Sequence, residues 1–319
     1  MIGTPREKVE EFEVMAQEIR FLERPVSVWK SGFRRLLRRR TGVTGLIIIG
    51  FWVLVALFAP LLATHDPRQG LLGEEPGIQR REAPCIHLLG CPEERPQHFL
   101  GLDGNARDEY SRILHGARIS LSIGIITVTS AIMVGALLGA IAGFWGGWVD
   151  NVIMRIMDVV LGFPALLLAI AIVAVLGPGL VNALLAIALV TIPQYARVMR
   201  ASVLQIKEMD FVAASRALGA SNWRILFTRV VPNALTPLVV LGTLGVAGAI
   251  LEAAGLSFLG LGAQPPAAEW GSMLGADRNQ VFSAPHLVFF PGLAIMLTVL
   301  GFNLLGDGLR DALDPRLHR

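Results

Sequence analysis

The sequence predicts an all-α polytopic membrane protein with six transmembrane helices. Of its 319 residues, 53% are hydrophobic and only 17% are charged, and the mean hydropathy is +0.58. Several runs reach the roughly 20 apolar residues that a helix needs to span a bilayer. Because a core helix of a soluble protein rarely stays apolar on all its faces for so long, a large soluble α-helical protein is a poor alternative.

Six apolar runs are the predicted spans, and the segments between them define the organisation of the chain. The runs lie at 43–63, 118–142, 156–176, 180–199, 235–261 and 286–306. The predicted parts are a cytoplasmic N-terminal segment (1–42), the first transmembrane helix (43–63), an extracytoplasmic loop (64–117), a five-helix core (118–306) with a polar loop at 200–233, and a cytoplasmic tail (307–319). Since the first apolar run already has spanning length, no cleavable signal peptide is expected.

Basic residues near the ends of the spans predict that both termini are cytoplasmic. Lysine and arginine are enriched in the cytoplasmic loops of membrane proteins. With six spans, the N-terminal segment, the loop between the fourth and fifth spans (196–233) and the tail share one side. These three parts hold Arg24, Lys30, Arg34, Arg35, Arg38, Arg39, Arg40, Arg197, Arg200, Lys207, Arg216, Arg224, Arg229, Arg310, Arg316 and Arg319.

The N-terminal segment has the pattern of two short amphipathic helices. Residues 5–23 carry apolar side chains at helical spacing, and Pro25 ends the pattern. The stretch PVSVWKSGFRRLLRRR (25–40) then separates an apolar face from a basic one, which is typical of a helix in the membrane interface. Because its arginines adjoin a span, they indicate membrane anchoring, and no nucleic-acid partner is expected.

The predicted extracytoplasmic loop contains the only two cysteines of the chain, Cys85 and Cys91. On an oxidising face such a pair favours a structural disulfide that closes a small ring. Unpaired thiols are one alternative, and a metal cluster with His87 and His98 is another. Cys-x-His is not a usual zinc spacing, so no metal ligand is assigned.

Within the spans, glycines, prolines and two acids stand out. Gly135, Gly139 and Gly143 repeat every four residues, which allows close approach of another helix. Asp158 and Glu252 lie in apolar runs, and an ionisable group at depth should face protein or water rather than lipid. Each acid is interpreted either as part of a translocation path or as a structurally satisfied buried group. Kinks are allowed at Pro164, Pro193, Pro237 and Pro291.

The polar stretch DFVAASRALGASNWRILFTRVVPN (210–233) interrupts the apolar runs. Its first half has a slim helical surface of alanines, and Gly219 can end that helix in a left-handed turn. A second helix, N-capped by Ser221 and ended by Pro232, is predicted to lie along the membrane surface. A slim exposed helix that is held away from the bilayer has the shape of an element inserting into a partner's groove.

This stretch resembles the loop shared by membrane subunits of ATP-binding-cassette importers, whose pattern is E-A-A, three residues, Gly, then I-x-L-P. Gly219 and Pro232 have the expected separation, and Ala213-Ala214-Ser215 occupies the E-A-A positions, so that Ala213 replaces the glutamate. Arg229 and Val231 replace the pattern's Ile and Leu. The residues that the resemblance assigns to coupling with an ATPase are Asp210, Ala213, Ala214, Ser215, Ala217, Gly219 and Pro232.

Four further stretches resemble the same family over about residues 25–317. They are FLGLDGNARDEYSRILHGARISLSIG (99–124), with Ala106 in place of a glycine, MRIMDVVLGFPALLLAIAIVAVLGPG (154–179), LSFLGLGAQPP (256–266) and LTVLGFNLLGDGLRDALDPRL (297–317). Together they identify the chain as a member of the C-type permeases of dipeptide, oligopeptide and nickel importers. The cysteine-bearing insert near 70–97 is not part of the resemblance.

The resemblance implies a type I ABC importer permease fold in a bacterial or archaeal cell membrane. It also implies a homologous second permease subunit, two cytoplasmic ATPases, an extracytoplasmic solute-binding protein, and a lever helix at 208–221. The chain lacks a G-x-x-x-x-G-K-[ST] phosphate loop, so it is not expected to hydrolyse ATP or to be an enzyme. The resemblance implies that the ATPase subunits bind ATP and magnesium. A peptide is the first expected solute, and nickel or another small solute is the alternative. The competing class, an ATP-independent secondary transporter, would need no docking loop and would typically show an internal repeat.

Overall fold

The computed structural model describes residues 28–313, so the predicted helix at 5–23 and the tail residues Arg316 and Arg319 lie outside it. In the described part the chain is almost entirely helical, and β-pairing is limited to isolated bridges. The helices are α1 (Val28–Leu36), α2 (Arg40–Leu62), α3 (Glu109–Trp145), α4 (Gly147–Leu161), α5 (Ala165–Leu176), α6 (Leu180–Ile206), α7 (Asp210–Ala217), α8 (Asn222–Ile225), α9 (Val231–Phe258), α10 (Trp270–Asp277) and α11 (His286–Leu313).

Five helical segments between residues 28 and 313 are long and apolar enough to cross a bilayer. They are α2, α3, α6, the run Asn222–Phe258 and α11. The predicted single helix at 156–176 is instead the bent pair α4–α5, whose two helices meet at 91° and form a sixth candidate. The bend falls just before Pro164, because proline has no N–H to donate and disfavours helical backbone at the preceding residue.

The predicted glycine stripe joins α3 to α6. Gly135, Gly139 and Gly143 each face a carbonyl or backbone atom of α6, at positions where a Cβ would collide. The facing carbonyls belong to Ile192, Ala196 and Arg200, which repeat with the same four-residue period. The two helices therefore run side by side in the same direction, with their backbones in direct contact.

The bent pair α4–α5 carries the chain between opposite ends of the helix bundle. α9 runs antiparallel to α3, since Gly124 packs on Ile250 near the end of α9 while Ile132, further along α3, packs on Gly242. α6 begins beside the end of α9, where the Gly179 N–H donates to the Leu261 carbonyl. Because α3 and α6 also end together, the chain must return across the bundle between them, which gives six crossings.

α3 is much longer than the predicted span at 118–142. It has 37 residues and is therefore about 55 Å long. Its first turns are polar and lie within the predicted loop at 64–117. Glu109 and Arg112 are nevertheless buried against the segment that precedes them. Asp108 caps the helix by accepting a hydrogen bond from the Ser111 N–H. Burial and a cap thus extend the helix beyond the apolar run.

The segment 63–108 folds into a small irregular unit at the start of α3. A core of Leu71, Ile78, Leu102 and Ala106 holds it together. Ala106 is fully buried with a φ of 55°, a left-handed conformation that glycine adopts without strain. This conformation accounts for the glycine that the related pattern carries at the same position.

A disulfide joins Cys85 to Cys91 in this unit. The thiol-ligated cluster with His87 and His98 is excluded, because neither sulfur remains free to bind a metal. His87 instead shares a hydrogen bond of 2.8 Å with the Arg95 carbonyl. The disulfide closes the base of an exposed loop.

Trp270 at the start of α10 anchors the chain that follows α9. Its side chain is fully buried, and its Nε1–H donates to the Ile113 carbonyl at 3.1 Å. Its ring meets Trp52 of α2 edge-on, with 5.0 Å between the ring centroids. Glu269 caps α10 by accepting from the N–H groups of Gly271 and Ser272. α2, α3 and α10 therefore meet around one indole ring.

Candidate functional site

The polar loop predicted at 200–233 is built almost entirely from helices. α6 continues to Ile206, beyond the predicted end at 199, because its polar residues find partners on neighbouring helices. Arg200 pairs with Asp150 of α4 through two N–O contacts of 2.5 Å. The helix predicted at 208–221 is α7, Asp210–Ala217.

Gly219 ends α7 in a left-handed turn, with a φ of 78°. The Gly219 N–H donates to the Arg216 carbonyl at 2.9 Å, and the Ala220 N–H donates to the Ser215 carbonyl at 3.1 Å. These two bonds form a Schellman motif, which satisfies the last carbonyls of the helix. No atom lies within 4 Å of the position that a Cβ would take, so the requirement for glycine is one of backbone conformation alone.

α7 is attached to the bundle through its inner face. Val212 is fully buried there, in a cluster that includes Phe144 of α3 and Val203 of α6. The cluster also takes in Ile225 and Leu226 from the chain beyond the turn. Motion of α7 must therefore move the ends of α3 and α6 with it.

The outer face of α7 is exposed and slim. Ala213, Ala214 and Ala217 are all exposed on the isolated chain. Phe211 and Leu218 are exposed as well, and Leu218 is 88% accessible. Sequence reasoning did not assign these two side chains to the site, although residues 211, 214 and 218 share one helical face by their spacing. The exposed face is thus apolar, with two large side chains beside the alanines.

Polar and aromatic contacts fix the loop to the end of α3. The Lys207 ammonium donates to the Gly143 carbonyl at 2.9 Å, in the last turn of α3 where a cation is favoured. The Arg216 guanidinium lies over the Phe144 ring, 5.8 Å from its centroid. Trp145 packs on Trp223 with 4.5 Å between centroids. These contacts make the loop and the helix end one unit.

An open cleft of about 510 Å³ lies behind the Gly219 turn. Ser215 and Leu218 line one side, and Arg224, Thr228 and Arg229 line the other. The two arginines make the cleft basic, so it suits an acidic surface better than an apolar one.

Pro232 does not end a helix, contrary to the prediction. α8 passes through a π-helical turn at Leu226–Val230 and continues as α9, so that Asn222–Phe258 forms one candidate span. The Val231 N–H donates to the Leu226 carbonyl, and the Asn233 side chain donates to the Arg229 carbonyl at 2.6 Å. The π-helical turn carries the helix past Pro232, which has no N–H to donate. The second half of the loop is therefore the first part of a long helix rather than a separate surface helix.

Ser221 stands at the predicted N-cap position of α8, but its side chain makes no capping hydrogen bond. The backbone carbonyl of Ser221 accepts from the Ile225 N–H at 2.9 Å and so begins the helix. The hydroxyl group is not needed for this, and the helix start depends on the preceding turn at Gly219.

The two acids within the spans have different surroundings. Asp158 of α4 is exposed rather than buried, and it pairs with Arg197 of α6 at 2.6 Å. Glu252 of α9 is half-buried and makes no hydrogen bond or ion pair to any other residue that the structure describes. The structure therefore brings neither acid close to α7.

Comparison with known protein families gives two matches that together cover most of the chain. Residues 135–319 match the family described as "Binding-protein-dependent transport system inner membrane component". Residues 27–84 match the N-terminal TM domain of oligopeptide transport permease C. The second match includes α1 and α2, the part of the chain before the five-helix core.

Three relatives resemble the chain over nearly its whole length. The dipeptide transport system permease protein of Alkalihalophilus pseudofirmus is 48% identical over 92% of this chain and 91% of the relative. The di/tripeptide transport system permease protein of Pseudomonas aeruginosa is 44% identical, over 90% and 92% respectively. The glutathione transport system permease protein of Pectobacterium atrosepticum is 42% identical, over 91% of both chains.

Among solved structures, the inward-facing MetNI methionine ABC transporter has a similar fold. The TM-score is 0.52 at 18% sequence identity, and the match covers 64% of this chain and 96% of the other. This likeness concerns the fold alone. The all-α fold with several membrane-spanning helices agrees with the fold class predicted from the sequence.

Proposed function

Because the chain belongs to the family of binding-protein-dependent transport system inner membrane components, as an ABC importer permease of the dipeptide, oligopeptide and glutathione type, we propose that it forms half of a peptide translocation pathway driven by partner ATPases. The reported relatives are named for dipeptides, di/tripeptides and glutathione, which are all short peptides. This shared chemistry favours a peptide over nickel as the solute. Selection between peptides belongs to an extracytoplasmic solute-binding protein.

The exposed apolar face of α7 is the observation that carries the proposed coupling. Val212 and Lys207 attach this helix to the ends of α3 and α6, while Leu218 and the alanines remain free for a partner. A groove on an ATPase would receive the slim face, and the basic cleft beside Arg224 would meet acidic residues. Closure of the ATPase dimer would then move α7 and tilt the helices fixed to it, which is a rigid-body form of alternating access.

The ion pair between Asp158 and Arg197 supports a second permease subunit. Both side chains are 51% exposed on the isolated chain, although they lie in membrane-spanning segments. Charged groups in a span face protein or water rather than lipid, so another subunit or a hydrated path should cover this side of the bundle. We place Asp158 at that boundary, and Glu252 either on the path or in a structural role.

We propose that α7 and both termini face the cytoplasm. α1 and the end of α11 meet where Gly32 packs against Leu313. α11 also crosses the start of α2, since Gly45 packs on the Leu305 backbone. Because α2 ends beside the start of α3, this junction lies at the same end of the bundle as α7. The arginines of that end agree with the enrichment of basic residues on the cytoplasmic side.

Bulky substitutions on the outer face of α7 test the coupling. Ala214→Arg or Ala217→Arg should fill the slim face and prevent docking, while the membrane spans stay unchanged. Co-purification of the ATPases and ATP hydrolysis stimulated by the loaded binding protein should both be lost. Arg224→Lys, which keeps its charge at the edge of the cleft, is the matched control and should be mild. If Ala214→Arg and Ala217→Arg still assemble with the ATPases and show normal stimulated hydrolysis, α7 is not the lever.

Reconstitution separates this proposal from the competing class. Transport by the chain alone in liposomes, without an ATPase, would establish a secondary transporter and contradict the importer. Binding assays on the cognate solute-binding protein distinguish peptide from nickel. Tight binding of short peptides supports the proposed substrate, and binding of nickel alone contradicts it while leaving the coupling intact.

A further inference from the structure

Four ionisable side chains converge at the end of the bundle opposite α7. His65 follows the end of α2, Glu75 and His98 lie in the 63–108 unit, and Asp108 is the N-cap of α3. His65 Nε2 is 3.1 Å from Glu75 Oε1, and His98 Nε2 is 3.3 Å from Glu75 Oε2. His98 Nδ1 is 3.4 Å from Asp108 Oδ1, and His65 Nδ1 is 3.9 Å from Asp108 Oδ2.

Several atoms of this cluster are buried without a hydrogen-bond partner. They are both ring nitrogens of His98, Oδ1 of Asp108 and Oε2 of Glu75. His98 is 1% exposed and Asp108 is fully buried. Buried polar atoms in folded proteins almost always have a partner, so a group of four such atoms that face one another needs an explanation.

Hydrogen bonds outside the cluster orient its members. Asp108 Oδ2 accepts from the N–H and Oγ–H of Ser111 at 2.8 and 2.6 Å, and from the Thr64 hydroxyl at 3.1 Å. This leaves Oδ1 directed at His98. The Glu75 carboxylate faces the Nε2 atoms of both histidines, so both Nδ1 atoms are directed at Asp108. The Thr64 hydroxyl lies on that side as well, 3.0 Å from His65 Nδ1. Metal-binding histidines and carboxylates are commonly held by such outer bonds.

We propose that His65 Nδ1, His98 Nδ1 and the Asp108 carboxylate bind a zinc ion, with Glu75 outside the ion as the acceptor for the Nε2–H groups of both histidines. One ligand atom from each of the first three residues lies within 4.8 Å of the others. Zinc binds imidazole nitrogen and carboxylate oxygen at about 2.0–2.2 Å in a tetrahedron, whose edges are then about 3.3–3.6 Å. His98 Nδ1 and His65 Nδ1 lie 3.4 and 3.9 Å from the Asp108 oxygens, which is close to the length of such an edge.

The position of the ion suits a structural role. The ion would tie the end of α2 and the start of α3 to the loop closed by the disulfide, since the Cys85 N–H donates to the His98 carbonyl.

Metal analysis of the full chain, purified in detergent, tests the site. After incubation with Zn²⁺ and removal of free ions, the wild type should retain about one zinc per chain, and EDTA should lower its midpoint of thermal unfolding. His65→Gln and His98→Gln, alone and together, should abolish stoichiometric binding. His87→Gln is the matched control, because it removes a histidine of the same loop that bonds only to the Arg95 carbonyl.

A second variant covers the case in which His98→Gln fails to fold. Ser111→Ala keeps all three ligands and removes only the hydroxyl that orients Asp108, so zinc affinity should fall about 10–100-fold. Retention of zinc to the same extent by wild type and by the double histidine variant would overturn the proposal. So would a wild type that takes up no zinc and is insensitive to EDTA, in which case the cluster is an ion network around a protonated His98.

Discussion

At the N-terminal end of α3, charged and aromatic side chains are buried and joined to one another, whereas at its C-terminal end α7 leaves apolar side chains in the open. Asp108 and Trp270 belong to the first end, and both are fully buried. Leu218 and Phe211 belong to the second, and both are exposed. One helix thus connects a start that is buried and capped within the chain to an end whose attached helix exposes apolar side chains.

The difference indicates which end depends on another protein. Exposed apolar side chains on a well-anchored helix are typical of an interaction surface, while buried caps and indoles stabilise the chain itself. Substitutions of the buried side chains at the first end should therefore lower stability and leave association with the ATPases unchanged. Substitutions at the second end should do the reverse.

Trp270→Ala should have the largest effect on stability. Loss of a buried tryptophan costs about 3–5 kcal/mol, and the Ile113 carbonyl would also lose its donor. Thermal unfolding of the purified chain should shift strongly downward. Phe282→Ala at the same end is the control, because Phe282 is 99% exposed and its loss should change stability by about 0.5 kcal/mol or less. Equal shifts of the unfolding temperature in the two variants would contradict the expectation that only the buried aromatic side chain stabilises this end.

Replacement of Cys85 and Cys91 together by serine should cost about 2 kcal/mol of local stability, the value for closing a short ring. Stimulated ATP hydrolysis in the assembled transporter should remain near wild type, because the disulfide lies at the far end of α3. On intact cells, a membrane-impermeant thiol reagent should label the wild type only after reduction. Labelling without a reductant would show that the thiols are unpaired.

Gly219→Val should strain the turn after α7 by about 1–2 kcal/mol, since a β-branched residue is unfavourable at a φ of 78°. The change in thermal unfolding should be small, because the turn is exposed, but co-purification of the ATPases should be lost. Gly219→Asn is the matched control, since asparagine tolerates this conformation and the surrounding space is open. If both variants lose the ATPases, side-chain bulk and not backbone conformation is responsible.

Asp158→Asn and Glu252→Gln should have the smallest effect on stability. An exposed ion pair such as Asp158–Arg197 contributes about 0–1 kcal/mol. A second measurement tests whether either acid lines the translocation path. Cysteine placed at either position should react with a water-borne reagent in only one transport state if the position lines the path. Absence of labelling in every state would assign that acid a structural role.

The apolar runs revealed the spans, but not where the helices begin and end. The start of α3 could not be predicted, because Glu109 and Arg112 look like loop residues until the 63–108 unit buries them. The bend before Pro164 lay within an apolar run, where hydropathy cannot distinguish one helix from two. Pro232 is predicted to end a helix, but the helix continues past it through the π-helical turn at Leu226–Val230.

The sequence predicts those parts of the candidate site in which the backbone conformation requires a particular residue. Gly219 was predicted to form a left-handed turn, and the structure has it there. Val212, by contrast, is important because residues of α3 and α6 meet it, and such contacts have no local signature. The cluster of His65, His98 and Asp108 could not be predicted from the sequence either, since its members come from separate parts of the chain.

α3 has one more property that follows from its composition. α2, α6, α9 and α11 each contain a proline, at Pro60, Pro193, Pro237 and Pro291, whereas α3 has none along its 37 residues. Its hydrogen-bond ladder is continuous, so it should bend less than its neighbours. Two spectroscopic labels near its ends would keep a fixed separation throughout the transport cycle. α3 therefore offers an internal distance standard, against which displacements of every other helix can be calibrated in a single preparation.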